Sequence, residues 1–130
     1  MKTLVASIFI FSLVSFGLLA QNKQNKNDSI SFDKITYDYG TIELGSSGKS
    51  EFKFTNRMKT PLIVSNVKPT CGCTVADWTK EPILPGKTGL IKLSYNTKIP
   101  GTFQKSITVT SNAVNASVIL TIKGVVNPAK

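Results

Sequence analysis

The sequence predicts an all-β protein: an immunoglobulin-like antiparallel β-sandwich of about seven strands, preceded by a signal peptide. Three observations carry this prediction. Past residue 20, apolar side chains recur at every second position in short runs, which is the period of a strand with one buried face. The runs are separated by turn clusters such as Gly45-Ser46-Ser47-Gly48, Pro85-Gly86 and Pro100-Gly101, where proline presets φ and glycine accepts a positive one. No helical period is sustained anywhere after the first segment.

Residues 1–20 read as the signal peptide. Met1-Lys2 is a short basic start, Leu4 to Leu19 is an almost unbroken apolar run without charge, and Gly17-Leu18-Leu19-Ala20 before Gln21 puts a small residue at a cleavage position. The run is just short of a bilayer span, so cleavage is expected and no transmembrane span remains after it. No cysteine follows the run, which removes lipid attachment. Residues 21–28 are polar, without aromatic or branched side chains, and read as a flexible leader. The sandwich is expected over residues 29–127.

Within that domain, Ile30, Phe32, Ile35, Tyr37 and Tyr39 supply the first extended run, with one step out of alternation at Asp33-Lys34. Such a slip marks a bulge or a strand that changes sheet. Residues 50–56 alternate cleanly, Phe52 and Phe54 on one face and Glu51, Lys53 and Thr55 on the other. Pro61 sets the start of the next run, where a missing amide donor matters least, and Leu62, Val64 and Val67 face inward along it. Lys68-Pro69-Thr70 breaks that strand and delivers the chain to Cys71-Gly72-Cys73, followed by a short edge run to Trp78. After the Pro82 to Gly86 turn, Ile91, Leu93 and Tyr95 share a face. Phe103, Ile107 and Val109, then Val118, Leu120 and Ile122, complete the expected core.

Composition narrows the function. The formal charge is +9 over 130 residues, and removal of Lys2 with the signal leaves +8. The lysines are scattered singly at outward strand positions, which describes a solvated positive surface and not a nucleic-acid groove. Another envelope protein, an anionic envelope polymer or lipid headgroups are the partners this surface suits. The chain has no histidine, which removes the usual general base. It also has no nucleophile triad, phosphate loop or Gly-x-Ser-x-Gly turn. Asp77 and Glu81 are a conceivable carboxylate pair, read as solvated. No enzyme activity and no cofactor are expected.

Tyr37-Asp38-Tyr39-Gly40-Thr41-Ile42, Phe52-Lys53-Phe54-Thr55-Asn56, Pro61-Leu62-Ile63-Val64, Cys71-Gly72-Cys73-Thr74, Ile83-Leu84-Pro85-Gly86, Tyr95-Asn96-Thr97 and Gly101-Thr102-Phe103 fall in an order that resembles the bacterial exported family called domain of unknown function 1573. The resemblance covers nearly all of the mature chain. It implies a fold similar to major sperm protein and Hydin-type immunoglobulin-like domains, and an exported location in the periplasm or at the surface of a Gram-negative cell. It implies no reaction and transfers no site residue. The cysteine pair is its most distinctive signature.

Four readings of Cys71 and Cys73 stay open: a disulfide of local structural value, inert reduced packing, a reactive thiol pair, or a soft-metal site. In an exported protein nearby thiols tend to oxidise. Residues i and i+2 lie near the upper limit of the Cα separation a disulfide tolerates, so the bridge needs a bend at Gly72. A ring this small is strained and easily reduced. Two thiolates suit a copper(I)-like ion, whereas zinc wants more ligands than this chain offers without histidine. Met58 is a conceivable third soft ligand.

Trp78, the sole tryptophan, is either a core plug or an exposed partner contact beside the cysteine turn. Asn27-Asp28-Ser29 and Asn115-Ala116-Ser117 match the N-glycosylation pattern by chance, while Asp28-Ser29-Ile30 resembles the O-glycosylation acceptor of Bacteroidetes-like envelopes and marks Ser29. The leading expectation is a non-enzymatic envelope interaction module. The rival is a thiol-redox or copper-handling protein acting through Cys71 and Cys73.

Overall fold

The computed structural model describes residues 28–128, so the expected signal peptide over residues 1–20 and nearly all of the expected leader over residues 21–28 lie outside the described residues. Eight strands follow in order: β1 (Ile30–Phe32), β2 (Thr36–Glu43), β3 (Lys49–Asn56), β4 (Val64–Pro69), β5 (Thr74–Trp78), β6 (Thr88–Tyr95), β7 (Gly101–Ser111) and β8 (Ser117–Asn127). They form two four-stranded sheets, β1-β3-β6-β5 and β2-β8-β7-β4. The eighth strand arises where the sequence slips. The chain leaves the first sheet at Asp33, whose N–H donates to the Lys53 carbonyl at 3.0 Å, and joins the second by way of the Ile35 carbonyl, which accepts from Thr121 at 2.8 Å.

The expected sandwich is present, and one pairing departs from its antiparallel pattern. β2 runs parallel to β8, with a register break between Asp38 and Thr41. Switching sheets lets β2 cross to the far layer without reversing direction, and parallel pairing is the outcome. The break carries Gly40 at φ 64°, and its N–H is taken by the Asp38 carboxylate at 2.8 Å. The other pairs are antiparallel.

The core lies between the layers where alternation places it. Phe52, Phe54, Leu62, Ile91, Ile107, Leu120 and Ile122 are fully buried, each removing of order 1.5–3 kcal/mol worth of apolar surface from water. Tyr95 stacks on Phe103 at a centroid distance of 3.9 Å. Gly89 stands opposite Phe54 in the β3–β6 ladder, and a Cβ there would collide with the Phe54 ring. The missing side chain is what gives that ring its place.

Asparagines stitch the connections. Asn56, fully buried, donates to the carbonyls of Thr60 and Ile83 and accepts from the Met58 N–H. Asn112 accepts from the Ile63 N–H and donates to the Pro61 carbonyl. Asn115 accepts from the Ile30 N–H at 3.0 Å and donates to the Ile30 carbonyl at 2.9 Å. Each occupies backbone groups that neither sheet reaches, which is how loop backbone is kept satisfied.

Candidate functional site

The Cys71 to Trp78 segment was singled out by sequence, and the ladders explain where it sits. β4 pairs with β7 as far as Pro69, which has no amide to continue it. Thr70 makes one further bond, its N–H to the Ser106 carbonyl at 3.0 Å, and the chain then crosses to the other sheet. β5 begins at Thr74 against Tyr95. The Cys71-Gly72-Cys73 turn is therefore the link between layers at one end of the sandwich.

In the structure the two sulfurs are joined as a disulfide, with Cα atoms 5.3 Å apart, and the Cys73 N–H donates to Cys71 Sγ at 3.3 Å. Gly72 has open space around its Cα, so the bend is made at the unhindered residue. Cys73 packs on the core, and its carbonyl accepts from Asn96 at 2.8 Å. The pair is a half-buried feature of the rim.

Trp78 is half-buried and packs on the core. Its indole N–H donates to the Val64 carbonyl at 3.1 Å, so it braces β5 against β4 of the other sheet. Lys80 lies over the ring at 5.1 Å from the centroid. Asp77 accepts from the Trp78 N–H at 2.9 Å and meets Lys80 at 3.7 Å. Both partners of that ion pair are exposed, and such pairs contribute little.

The residue that sequence reasoning did not single out is Val75. It is 69% exposed, whereas its neighbour Thr74 is buried, the reverse of what their polarity suggests. β5 is an outer strand paired only with β6. Beside it, on the outer face of the sheet, Val75, Asp77, Lys92, Ser94, Lys49 and Glu51 line a shallow trough. An exposed apolar side chain on a short edge strand next to a mixed-charge trough is a contact surface in chemical terms.

Met58 does not join the cysteines. It follows the end of β3, at the opposite end of the sandwich from the Cys71-Gly72-Cys73 turn, with the length of β4 between them. Among the described residues no three His, Cys, Asp or Glu side chains group as a metal cluster would. Ser29 is half-buried at the start of the domain, and its carbonyl accepts from the Arg57 N–H at 3.0 Å. At the tyrosines, burial pushes the Tyr39 phenol above its ordinary value, Ser50 partly opposes this and nearby Tyr37 adds to it. Burial alone raises Tyr95.

Two packed sheets, a chain that changes sheet and a core of alternating apolar residues define an immunoglobulin-like domain. The chain belongs to the family described as Protein of unknown function (DUF1573), whose model matches residues 30–126. No curated protein matches it. Among solved structures it is similar to a protein of unknown function from Porphyromonas gingivalis W83, at 15% identity and TM-score 0.65, over 75% of this chain and 46% of that one. The chain thus spans under half of that protein. It is also similar to the ASH/PapD-like domain 7 of human CEP192, at 10% identity and TM-score 0.63, over 80% of this chain and 89% of that one. A third likeness is to WR4, a C. elegans MSP family member, at 13% identity and TM-score 0.53, over 76% and 98% of the two chains. At these identities the likenesses concern the fold alone.

Proposed function

We propose that this protein is an exported, non-enzymatic interaction module of the bacterial envelope, holding another envelope protein or an anionic polymer at the β5 edge. The observation that carries the reading is Val75, an exposed aliphatic side chain on an outer strand that the Cys71–Cys73 turn and the Trp78 brace hold in place. An extended partner segment could add beside β5 through backbone hydrogen bonds while the trough selects its side chains. Absence of histidine from the sequence argues in the same direction, and the basic surface favours acidic partners. The domain's Ser29 is the residue proposed to carry a sugar.

The test is site-specific photo-crosslinking in the exporting cell. A crosslinker at Val75 is expected to give a discrete adduct that one placed at Lys123, on the other sheet, does not. Absence of any adduct at Val75, or the same adducts at both positions, would sink the reading. A second reading, in which the Cys71–Cys73 disulfide exchanges electrons with other thiols, rests on its half-buried rim position. Replacing both cysteines with serine separates the two: the module keeps its adduct, whereas an exchanger loses its chemistry.

A further inference from the structure

We propose that the end of the sandwich opposite the cysteine turn is a docking surface for an anionic lipid bilayer. The inference is independent of the β5 edge and rests in part on the export reading, which its test can separate.

Residues 57–63, 79–87 and 112–116, together with the start of the domain at residues 28–29, meet at this end. They are bonded to one another as a single platform. Leu62 and Ile83 exchange backbone hydrogen bonds of 2.8 Å in both directions, Val114 donates to the Asp28 carbonyl at 3.0 Å, and Gly86 donates to the Asn56 carbonyl at 2.8 Å. Asn112 ties Pro61 to the third connection.

Each connection raises one large apolar side chain from this platform. Ile63 is 44% exposed, Leu84 58% and Val114 59%. Leu84 is held out by rigid local structure: its neighbour Ile83 is anchored in the core at 6% exposure, Pro85 follows, and the Leu84 carbonyl accepts from Lys87 across a turn with Gly86 at φ 77°. A side chain fixed outward in this way meets a partner without an ordering cost.

Charge selects the partner. The same connections carry Arg57, Lys59 and Lys87, all exposed, against Asp28 and Glu81; Lys80, also exposed, has its charge met by Asp77 at 3.7 Å. At the other end, residues 44–48, 70–73 and 96–100 hold one exposed large apolar side chain, Ile99, and one cation, Lys98. Apolar tips within a basic ring suit an anionic membrane surface, where aliphatic side chains enter the headgroup boundary while lysine and arginine stay with the phosphates. Chain direction agrees. The domain receives its chain at this end, after the apolar run of residues 4–19 and the polar stretch that follows, so during export this face lies nearest the bilayer.

The test is co-sedimentation of purified protein freed of the apolar run with vesicles of phosphatidylcholine alone, or of equal parts phosphatidylglycerol and phosphatidylcholine. Binding is expected to the mixed vesicles only and to weaken with added salt, as screening requires. The double variant Leu84→Asp, Val114→Asp should lose at least about tenfold in bound fraction at an unchanged melting temperature, both side chains being exposed. Ile99→Asp should bind like the parent. No sedimentation with anionic vesicles, or undiminished binding by the double variant, overturns the proposal. If the cell's protein is recovered from the cytoplasm yet Leu84-dependent binding persists, the export reading falls and this one stands.

Discussion

The side-chain amide of Asn115 pairs with both the N–H and the C=O of Ile30, 85 residues earlier in the chain, in the manner of a neighbouring strand residue. β1 is a three-residue edge strand, and this contact closes its outer side. Replacing Asn115 with alanine leaves two partly buried backbone groups to find water, so a loss of about 1–3 kcal/mol is expected. Urea unfolding measures it, and faster exchange of the Ile30 amide hydrogen locates it. The same pairing holds the amide nitrogen that glycosylation would need, so the Asn-x-Ser pattern is expected to stay unmodified. A glycan found at Asn115 would contradict this geometry.

Asn56 makes a sharper case because it is fully buried and serves three backbone groups at once. Asn56→Ala would strand the Met58 N–H and leave the Ile83 carbonyl with its Leu62 bond alone, and Asn56→Asp would bury a carboxylate facing two carbonyl oxygens. A cost of about 3 kcal/mol or more is expected for either. Calorimetry checks it; a fall in melting temperature no greater than that of a surface control would show that water replaces the amide.

Tyr39 predicts the alkaline limit. Its hydroxyl donates to the Gly48 carbonyl at 2.6 Å, and burial raises it above the ordinary value of 10.0. Between the unfolded and folded values the native state therefore holds more protons than the unfolded one. Stability is full below pH 10 and falls as pH rises through the raised value. Tyr39→Phe is expected to flatten part of that fall while costing about 1 kcal/mol at neutral pH through the lost hydrogen bond. Tyr95, raised by burial, supplies a remaining slope. Phenolate absorbance followed alongside unfolding in the parent and in Tyr39→Phe gives the share of Tyr39 by difference.

Gly89 tests the close approach to Phe54. A Cβ at Gly89 would collide with the Phe54 ring, and that ring is itself fully buried. Gly89→Ala is expected to cost about 1–3 kcal/mol through overpacking. Gly89→Ala combined with Phe54→Leu should cost less than the sum of the two changes, a coupling that a double-mutant cycle reads directly.

Much of this architecture was legible because alternation is a local signal. Phe52 and Phe54, Ile91 and Leu93, and Leu120 and Ile122 are buried where their spacing put them, and the slip at Asp33-Lys34 marked the place where the chain changes sheet. The parallel partnership of β2 and β8 was not legible, since it joins the two ends of the domain and leaves no trace in either segment alone. Nor were the tasks of Asn56, Asn112 and Asn115. An asparagine in a turn looks the same whether it faces solvent or serves a distant backbone. At β5 the difficulty was different. Thr74 turns inward and Val75 outward because the cysteine turn fixes the phase of the strand before polarity can choose it.

The register of β2 against β8 also bears on how the molecule is made. A ribosome emits Thr36 long before Thr121, its partner in that register, so half of one sheet must wait for the final stretch of polypeptide before it can be completed. Such remote pairing slows folding. A chain stopped short of β8 would leave an open flank with aromatic residues behind it, a species for chaperones to hold or proteases to clear.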